Sequence, residues 1–285
     1  MHVERHADAD SFLARAGTFL LEREAEHNLI LGLAGRLRGD SRLYGAEPYL
    51  AVALDGDRVV AAALRTPPHN FVLSEVDDVG ALEPLAEDVG AVFESLPGAL
   101  GPSAAIARFA AIWVARTGAT GHIAIRERSY RAEEAHLPEG VAGEMRPYRE
   151  GDRELVLAWM DAFVAEALPS APPEDSAAWL ERRLAEPEGG VTIWEDGGPV
   201  SVGSFGGLTP NGIRVGPIYT PPELRRRGYA TALTAEITRM LLDRGRRFCF
   251  LFTDLANPTS NSIYQRIGYR PVTDVDQWEF AAAGR

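Results

Sequence analysis

Three consecutive arginines, Arg225, Arg226 and Arg227, stand directly before Gly228-Tyr229-Ala230-Thr231 in a chain of net charge −12. A strand-like run over 213–220 precedes them. An amphipathic helix follows from about residue 228 to 243, with Leu233, Ile237, Met240 and Leu241 at core spacing. A loop entering a helix leaves the first N–H groups of that helix without carbonyl partners. Those groups and the helix dipole together attract an anion. Gly228 has no side chain to block an approaching ligand, and that of Ala230 is small. The competing reading is an ordinary solvated basic turn. That reading places arginines against the helix dipole, whereas a bound polyphosphate removes the conflict.

A second constellation lies at Asn257-Pro258-Thr259-Ser260-Asn261-Ser262-Ile263-Tyr264. Asn257 suits an N-cap and Pro258 the first helical position. At about 100° per residue, Asn257, Asn261 and Tyr264 share one narrow face, while Ile263 and Ile267 form a separate apolar stripe. The polar stripe suits a ligand and the apolar one a core, although Tyr264 taken alone also reads as a boundary aromatic. Cys249, inside Phe248-Cys249-Phe250-Leu251-Phe252, reads as a buried strand residue and not as a nucleophile. There is no Gly-x-x-x-x-Gly-Lys-Ser/Thr run, and Gly203, Gly206 and Gly207 are spaced unlike a dinucleotide fingerprint. No His, Cys, Asp or Glu pair stands at metal-ligand spacing apart from His2 and His6, which read as a solvated, mobile tail. No metal is expected.

Arg225-Arg226-Arg227-Gly228-Tyr229-Ala230 resembles the Arg/Gln-x-x-Gly-x-Gly/Ala signature of the GNAT acetyltransferases, and Pro222 stands three residues earlier, as is common there. Asn257, Tyr264 and Gly268-Tyr269 resemble that family's pattern of an Asn, a Tyr seven residues on, and Gly-Phe/Tyr. The resemblance covers about residues 145–280. It implies acetyl-coenzyme A as co-substrate, with its pyrophosphate held by the backbone N–H groups of Arg226 to Thr231 and Arg225 among the cofactor-binding residues. It implies that Ile218, Tyr219 and Thr220 pair with the pantetheine arm and that one of their N–H groups polarises the acetyl carbonyl. Asn257 would bond the cofactor arm, with Asn261 beside it. Tyr264 would be the general acid that protonates the leaving thiolate.

The activity implied is acetyl transfer to a primary amine by direct attack in a ternary complex. Asp254 and Glu195 are candidate bases for an ammonium substrate, and each also reads as a solvated carboxylate. The alternative is a non-catalytic, acetyl-coenzyme A-binding regulatory module. The acceptor, a small-molecule or a peptide amine, is not legible, nor is the choice between monomer and homodimer.

The 285 residues needed to position these groups suit two domains. Hydrophobic residues at 46% and charged residues at 25% call for a packed core and not disorder. The acidic balance repels phosphate backbones and anionic lipid, so neither a nucleic-acid nor a membrane partner is expected. One cysteine excludes an internal disulfide. The first residues, Met1-His2-Val3-Glu4-Arg5, show no signal pattern, and the apolar stretch near 109–115 is too short to span a bilayer. The expectation is a cytoplasmic protein.

Periodicity predicts a helix over 11–37, strands at 49–54 and 59–64 around Asp55-Gly56-Asp57, a strand at 71–73, and a helix at 82–93. A short strand or loop at 98–102, a helix at 103–116 capped by Ser103, and a strand at 122–126 follow. After a linker at 137–140 come a helix at 154–166, a loop at 169–173, a helix at 177–185 capped by Ser176, and strands at 191–195 and 200–205. The strand–loop–helix unit above, a strand at 248–253, a helix at 258–267 and a strand at 277–280 complete the chain. This repeated order predicts a duplicated α/β fold (α+β mixed sheet): two GNAT-like domains, each a mixed, mostly antiparallel sheet flanked by helices. They divide as 1–140, degenerate and shaping the substrate cleft, and 141–285, which binds the cofactor. The degenerate counterpart of the arginine loop is expected at 97–105, where there is no arginine and Pro102 removes an N–H donor.

Overall fold

The computed structural model describes residues 1–167 and 175–282. The loop expected at 169–173 lies outside them. The first half of the chain forms β1 His2–Arg5, α1 Ala9–Glu22, α2 Asn28–Leu37, β2 Tyr49–Asp55, β3 Arg58–Arg65, β4 Phe71–Leu73, α3 Leu82–Val92, β5 Gly98–Pro102, α4 Ser103–Thr117 and β6 Thr120–Ala132. The second half forms β7 Glu144–Pro147, α5 Arg153–Ala167, α6 Ser176–Ala185, β8 Gly190–Glu195, β9 Pro199–Gly206, β10 Gly212–Tyr219, α7 Tyr229–Asp243, β11 Phe248–Asp254, α8 Pro258–Arg266 and β12 Arg270–Ala281. Among the described residues the order of helices and strands therefore repeats element for element, as a duplication requires.

Two compact units result: 1–129 with 254–256 and 272–285, and 130–253 with 257–271. The division expected at 140/141 follows the linker. The units instead change along the closing strands, because β6 enters the second unit at Tyr130 and β12 enters the first at Val272.

In the first unit the strand order is β1-β2-β3-β4-β5-β12. The β4–β5 pair is parallel, while β1–β2, β2–β3, β3–β4 and β5–β12 are antiparallel. Strand alternation buries both faces of β2: Leu50, Val52 and Leu54 against α1 and α2, Tyr49, Ala51 and Ala53 in the cluster with α3 and α4. Small alanines on that second face leave room for Phe71, Phe109 and Trp113.

The predicted single helix is two, because Arg23 leaves helical geometry at φ −133° and the buried His27 ring sets its Nδ1 2.9 Å from Leu20 O. Both helices then pack on one cluster, which a continuous helix would not allow. The N-terminal residues are no mobile tail: His2 pairs with Leu54 and Arg5 with Ala51 in β1–β2, and the His6 ring packs edge-on against Phe12.

The second unit has the order β11-β10-β9-β8-β7. Val191, Ile193 and Val202 meet Val156, Met160 and Leu180 of α5 and α6. Val200, Val215 and Leu251 meet Leu233, Ile237 and Leu241 of α7. The α6 cap is Asp175, whose carboxylate accepts from Ala177 N, and not Ser176. Among the described residues no helix is long and apolar enough to cross a membrane. None of their His, Cys, Asp and Glu side chains group into a metal site.

Candidate active site

The site of the second unit begins where β10 and β11 run parallel. Their register covers Gly212↔Phe248, Ile213↔Cys249 and Arg214↔Phe250. Beyond it, β10 bulges between Val215 and Ile218 against β9, and Pro217 has no N–H to give. The Ser204 hydroxyl donates to Gly216 O at 2.7 Å and the Ser201 hydroxyl to Tyr219 O at 2.9 Å. The β9 side thus satisfies these carbonyls, and the far edge of β10 at Ile218 and Tyr219, with Thr220 directly after it, lies at the carboxyl end of a parallel pair. Open α/β sheets bind ligands at such ends.

From Thr220 the chain turns through Pro222–Leu224 and enters α7 at Gly228. Gly228 has φ +88°, the left-handed region that glycine adopts without penalty. No side chain caps α7, and its first N–H groups have no carbonyl one turn back. Arg225, Arg226 and Arg227 are exposed, and Arg226 is itself held at φ +65°. Tyr229 does not face this opening with its hydroxyl, which instead donates to Asp196 Oδ2 at 2.6 Å and fixes the helix start to the β8–β9 turn. Ala230 and Thr231 are half-buried in the first turn. Three small or open positions, uncapped amides and excess cationic charge fit a pyrophosphate.

Arg225 departs from that picture. Its Nε donates to Thr220 O at 2.8 Å, its Nη2 lies 2.6 Å from Glu166 Oε2, and its guanidinium sits 5.6 Å above the Tyr219 ring. The Tyr219 hydroxyl also donates to Glu166, at 3.1 Å. The Arg225 guanidinium holds the Glu166 carboxyl below the usual range. Glu166, in the last turn of α5, carries no sequence signal, since its role depends on a partner 59 residues away.

Tyr264 lies on α8, capped by Asn257, whose Oδ1 accepts from Ser260 N at 3.0 Å. The Tyr264 ring meets Tyr269 edge-on at 6.1 Å and Tyr130 at 6.4 Å. Its hydroxyl makes no hydrogen bond among the described residues. The side chain is half-buried by surface area, and the apolar packing around it pushes this phenol up to about 12, so it keeps its proton at neutral pH. Asn261 is not turned to a ligand in the way expected: its Oδ1 accepts from the Tyr130 hydroxyl at 2.9 Å and its Nδ2 donates to Asn257 O at 2.8 Å. Tyr130, fully buried, carries no spacing signal, because it belongs to a strand of the other half of the repeat.

Of the two candidate bases, Glu195 is ion-paired to Arg146, which also holds Asp152 at 2.7 Å. Asp254 belongs to the first unit and accepts from Ala256 N at 2.7 Å. Cys249 is buried, and burial pushes its thiol up to about 12, which suits a packed strand residue.

The counterpart loop of the first unit is not at 97–105. That segment is β5 and the start of α4. In the second unit the helix between the two parallel strands is α7; in the first it is α3, between β4 and β5. The counterpart is therefore Ser74-Glu75-Val76-Asp77-Asp78-Val79-Gly80-Ala81. Carboxylates of Glu75, Asp77 and Asp78 stand where the other loop has arginines. Asp78 Oδ1 accepts from Gly80 N at 2.8 Å, and Asp77 pairs with Arg23 at 2.7 Å. Capped amides and negative charge both work against a phosphate.

Residues 207–278 match a family model described as FR47-like protein. No curated protein matches the chain in sequence. Among solved structures, a Drosophila protein superposes with a TM-score of 0.71 at 14% identity, covering 99% of each chain. A GCN5-related N-acetyltransferase from Kribbella flavida gives 0.58 at 18% identity, covering 88% of this chain and 95% of that one. A tandem GNAT protein from the clavulanic acid biosynthesis pathway gives 0.57 at 12% identity, covering 100% of this chain and 99% of that one. The chain has the fold of GNAT acetyltransferases, with mixed sheets flanked by helices. The resemblance read from its motifs is borne out, and the FR47-like match spans both of them.

Proposed function

We propose that the second unit binds acetyl-coenzyme A and that the protein transfers its acetyl group to a primary amine by direct attack in a ternary complex. The observation that carries this reading is the uncapped N-terminus of α7, entered through Gly228 at φ +88° directly after the β10 edge. When bound, the co-substrate supplies a thioester-activated acetyl group. The N–H groups of Arg226 to Thr231 hold its pyrophosphate, with Arg226 and Arg227 as counter-charges. Arg225 shapes the loop from its seat on Glu166 and Thr220 O.

Ile218, Tyr219 and Thr220 offer backbone groups to an extended arm, and one of their N–H groups serves as the oxyanion donor. Asn257 caps α8 and bonds the arm. Tyr264 Oη holds the proton that a departing thiolate needs, and burial keeps it there. Glu195 and Asp254 are both engaged elsewhere, so we assign neither as base and take the acceptor to react as its free amine. The first unit, with its acidic counterpart loop, binds no coenzyme A.

A panel of amines assayed with acetyl-coenzyme A for thiol release tests the proposal. Acceptor-dependent release supports it. Tight cofactor binding with no release on any amine would favour a regulatory acetyl-coenzyme A-binding module instead.

A further inference from the structure

The helix that carries Tyr264 is weakly held by its own sequence. It has nine residues, and isolated helices of that length are marginal in water. Ile263 and Tyr264 are only half-buried, and the first fully buried apolar side chain, Ile267, comes after the helix has ended. Apolar burial is therefore concentrated at the C-terminal end of this helix, at Ile267.

A hydrogen-bonded clasp adds to this packing. The Tyr130 hydroxyl donates to Asn261 Oδ1 at 2.9 Å and accepts from Gln265 Nε2 at 3.3 Å. Asn261 and Gln265 are four residues apart and so lie above one another on one face. Asn261 then donates to Asn257 O at 2.8 Å, which ties the clasp to the cap of the helix. Tyr264 stands beside Gln265, with its ring 6.4 Å from that of Tyr130. Tyr130 is 0% exposed, so its hydroxyl has been taken from water and depends on these two partners.

We infer that Tyr130 is the positioning residue for Tyr264: by gripping Asn261 and Gln265 it sets the rotation of α8 and hence the direction of the Tyr264 hydroxyl. This rests on the reading of Tyr264 as the proton donor. Tyr130 lies before the linker, on the last strand of the first half of the repeat. The second half of the chain taken from residue 141 would therefore contain Tyr264 without the residue that aims it. A tandem chain thus supplies its active site with a residue from each half.

Tyr130→Phe, Tyr264→Phe and the double variant test the inference. A misplacement of about 1 Å can cost up to ~100-fold in rate. Tyr130→Phe is expected to lower kcat by about 10- to 100-fold, with the dissociation constant for acetyl-coenzyme A within about twofold of the native value. In the Tyr264→Phe background the same change is expected to cost nothing further, because the group being aimed is gone. A general loss of packing would instead lower kcat by the same factor in both backgrounds.

A second readout needs no turnover. With tyrosines labelled at 13Cζ, the Tyr264 resonance of the ligand-free protein is identified by its loss in Tyr264→Phe. It is expected to shift and broaden in Tyr130→Phe while the Tyr219 and Tyr229 resonances stay in place. An unshifted Tyr264 resonance, or equal losses of kcat in both backgrounds, overturns the positioning role. No turnover by the native chain on any amine would fail the proposed function instead, and the resonance readout would still decide how Tyr130 and Tyr264 are coupled.

Discussion

Arg225, the first arginine of the loop before α7, points back and not out: its Nη2 lies 2.6 Å from Glu166 Oε2 and its Nε 2.8 Å from Thr220 O. The residue type that first marks the loop in the sequence is thus the one that anchors it.

Glu166→Gln should weaken acetyl-coenzyme A binding with kcat at saturation unchanged, since the loop loses its tether and the reacting groups are untouched. The pair is half-exposed, so an effect of at most ~1 kcal/mol, or about fivefold in Kd, is expected. Glu166 has a folded-state pKa below the ordinary glutamate value. The contribution of the pair is therefore present above that ordinary value and lost as pH falls through the depressed one. Titrating Kd from pH 7 downward checks both points. A native Kd that weakens fivefold well above the ordinary glutamate range would count against the tether.

Arg227→Glu should weaken acetyl-coenzyme A binding by about 10-fold or more, because a charge-assisted partner becomes a repulsive one. The melting temperature should stay within a degree or two, since Arg227 is exposed. Gly228→Glu is a poorer test. A Cβ there would meet Val141 Cγ2 at 2.9 Å at a φ of +88°, so any loss of binding would be mixed with a loss of fold. Calorimetry and a thermal melt on one preparation of Arg227→Glu separate the two effects.

Tyr264→Phe should lower kcat by ~100-fold or somewhat less, because water partly substitutes for a lost acid, with Kd for acetyl-coenzyme A nearly unchanged. Burial places this phenol at about 12 in the folded chain, above its ordinary value near 10. Any stabilisation from this shift is full below the ordinary value and lost as pH rises through about 12. An alkaline limb due to Tyr264 should therefore be missing from the kcat profile between pH 7 and 10. Full turnover in the variant would show that the hydroxyl is not the acid.

The parts legible in the sequence are those set by local spacing. The strand–loop–helix unit around Gly228, the Asn257 cap and the hairpin at Gly56 are each decided within a dozen residues. Glu166 and Tyr130 were not legible because each matters through a partner far along the chain, at separations of 59 and 131 residues. The break between α1 and α2 was hidden because apolar spacing continues across it, and a buried histidine contact decides it. Residues 97–105 read as the counterpart loop because glycines, Pro102 and the helix starting at Ser103 imitate a strand–loop–helix unit. The true counterpart lies between β4 and α3, both legible from spacing, but it carries no arginine to mark it as a loop of the same kind. Its signal was charge: Glu75, Asp77 and Asp78 against Arg225, Arg226 and Arg227.

The proposed function requires one acetyl-coenzyme A site per chain, at the α7 N-terminus of the second unit. Calorimetric titration of the native protein with acetyl-coenzyme A tests it most directly. A single binding event with a stoichiometry of one per chain is the result expected, since the α7 loop is open and cationic and the loop before α3 is capped and acidic. Two equivalent sites per chain, or no binding at millimolar cofactor, would contradict it.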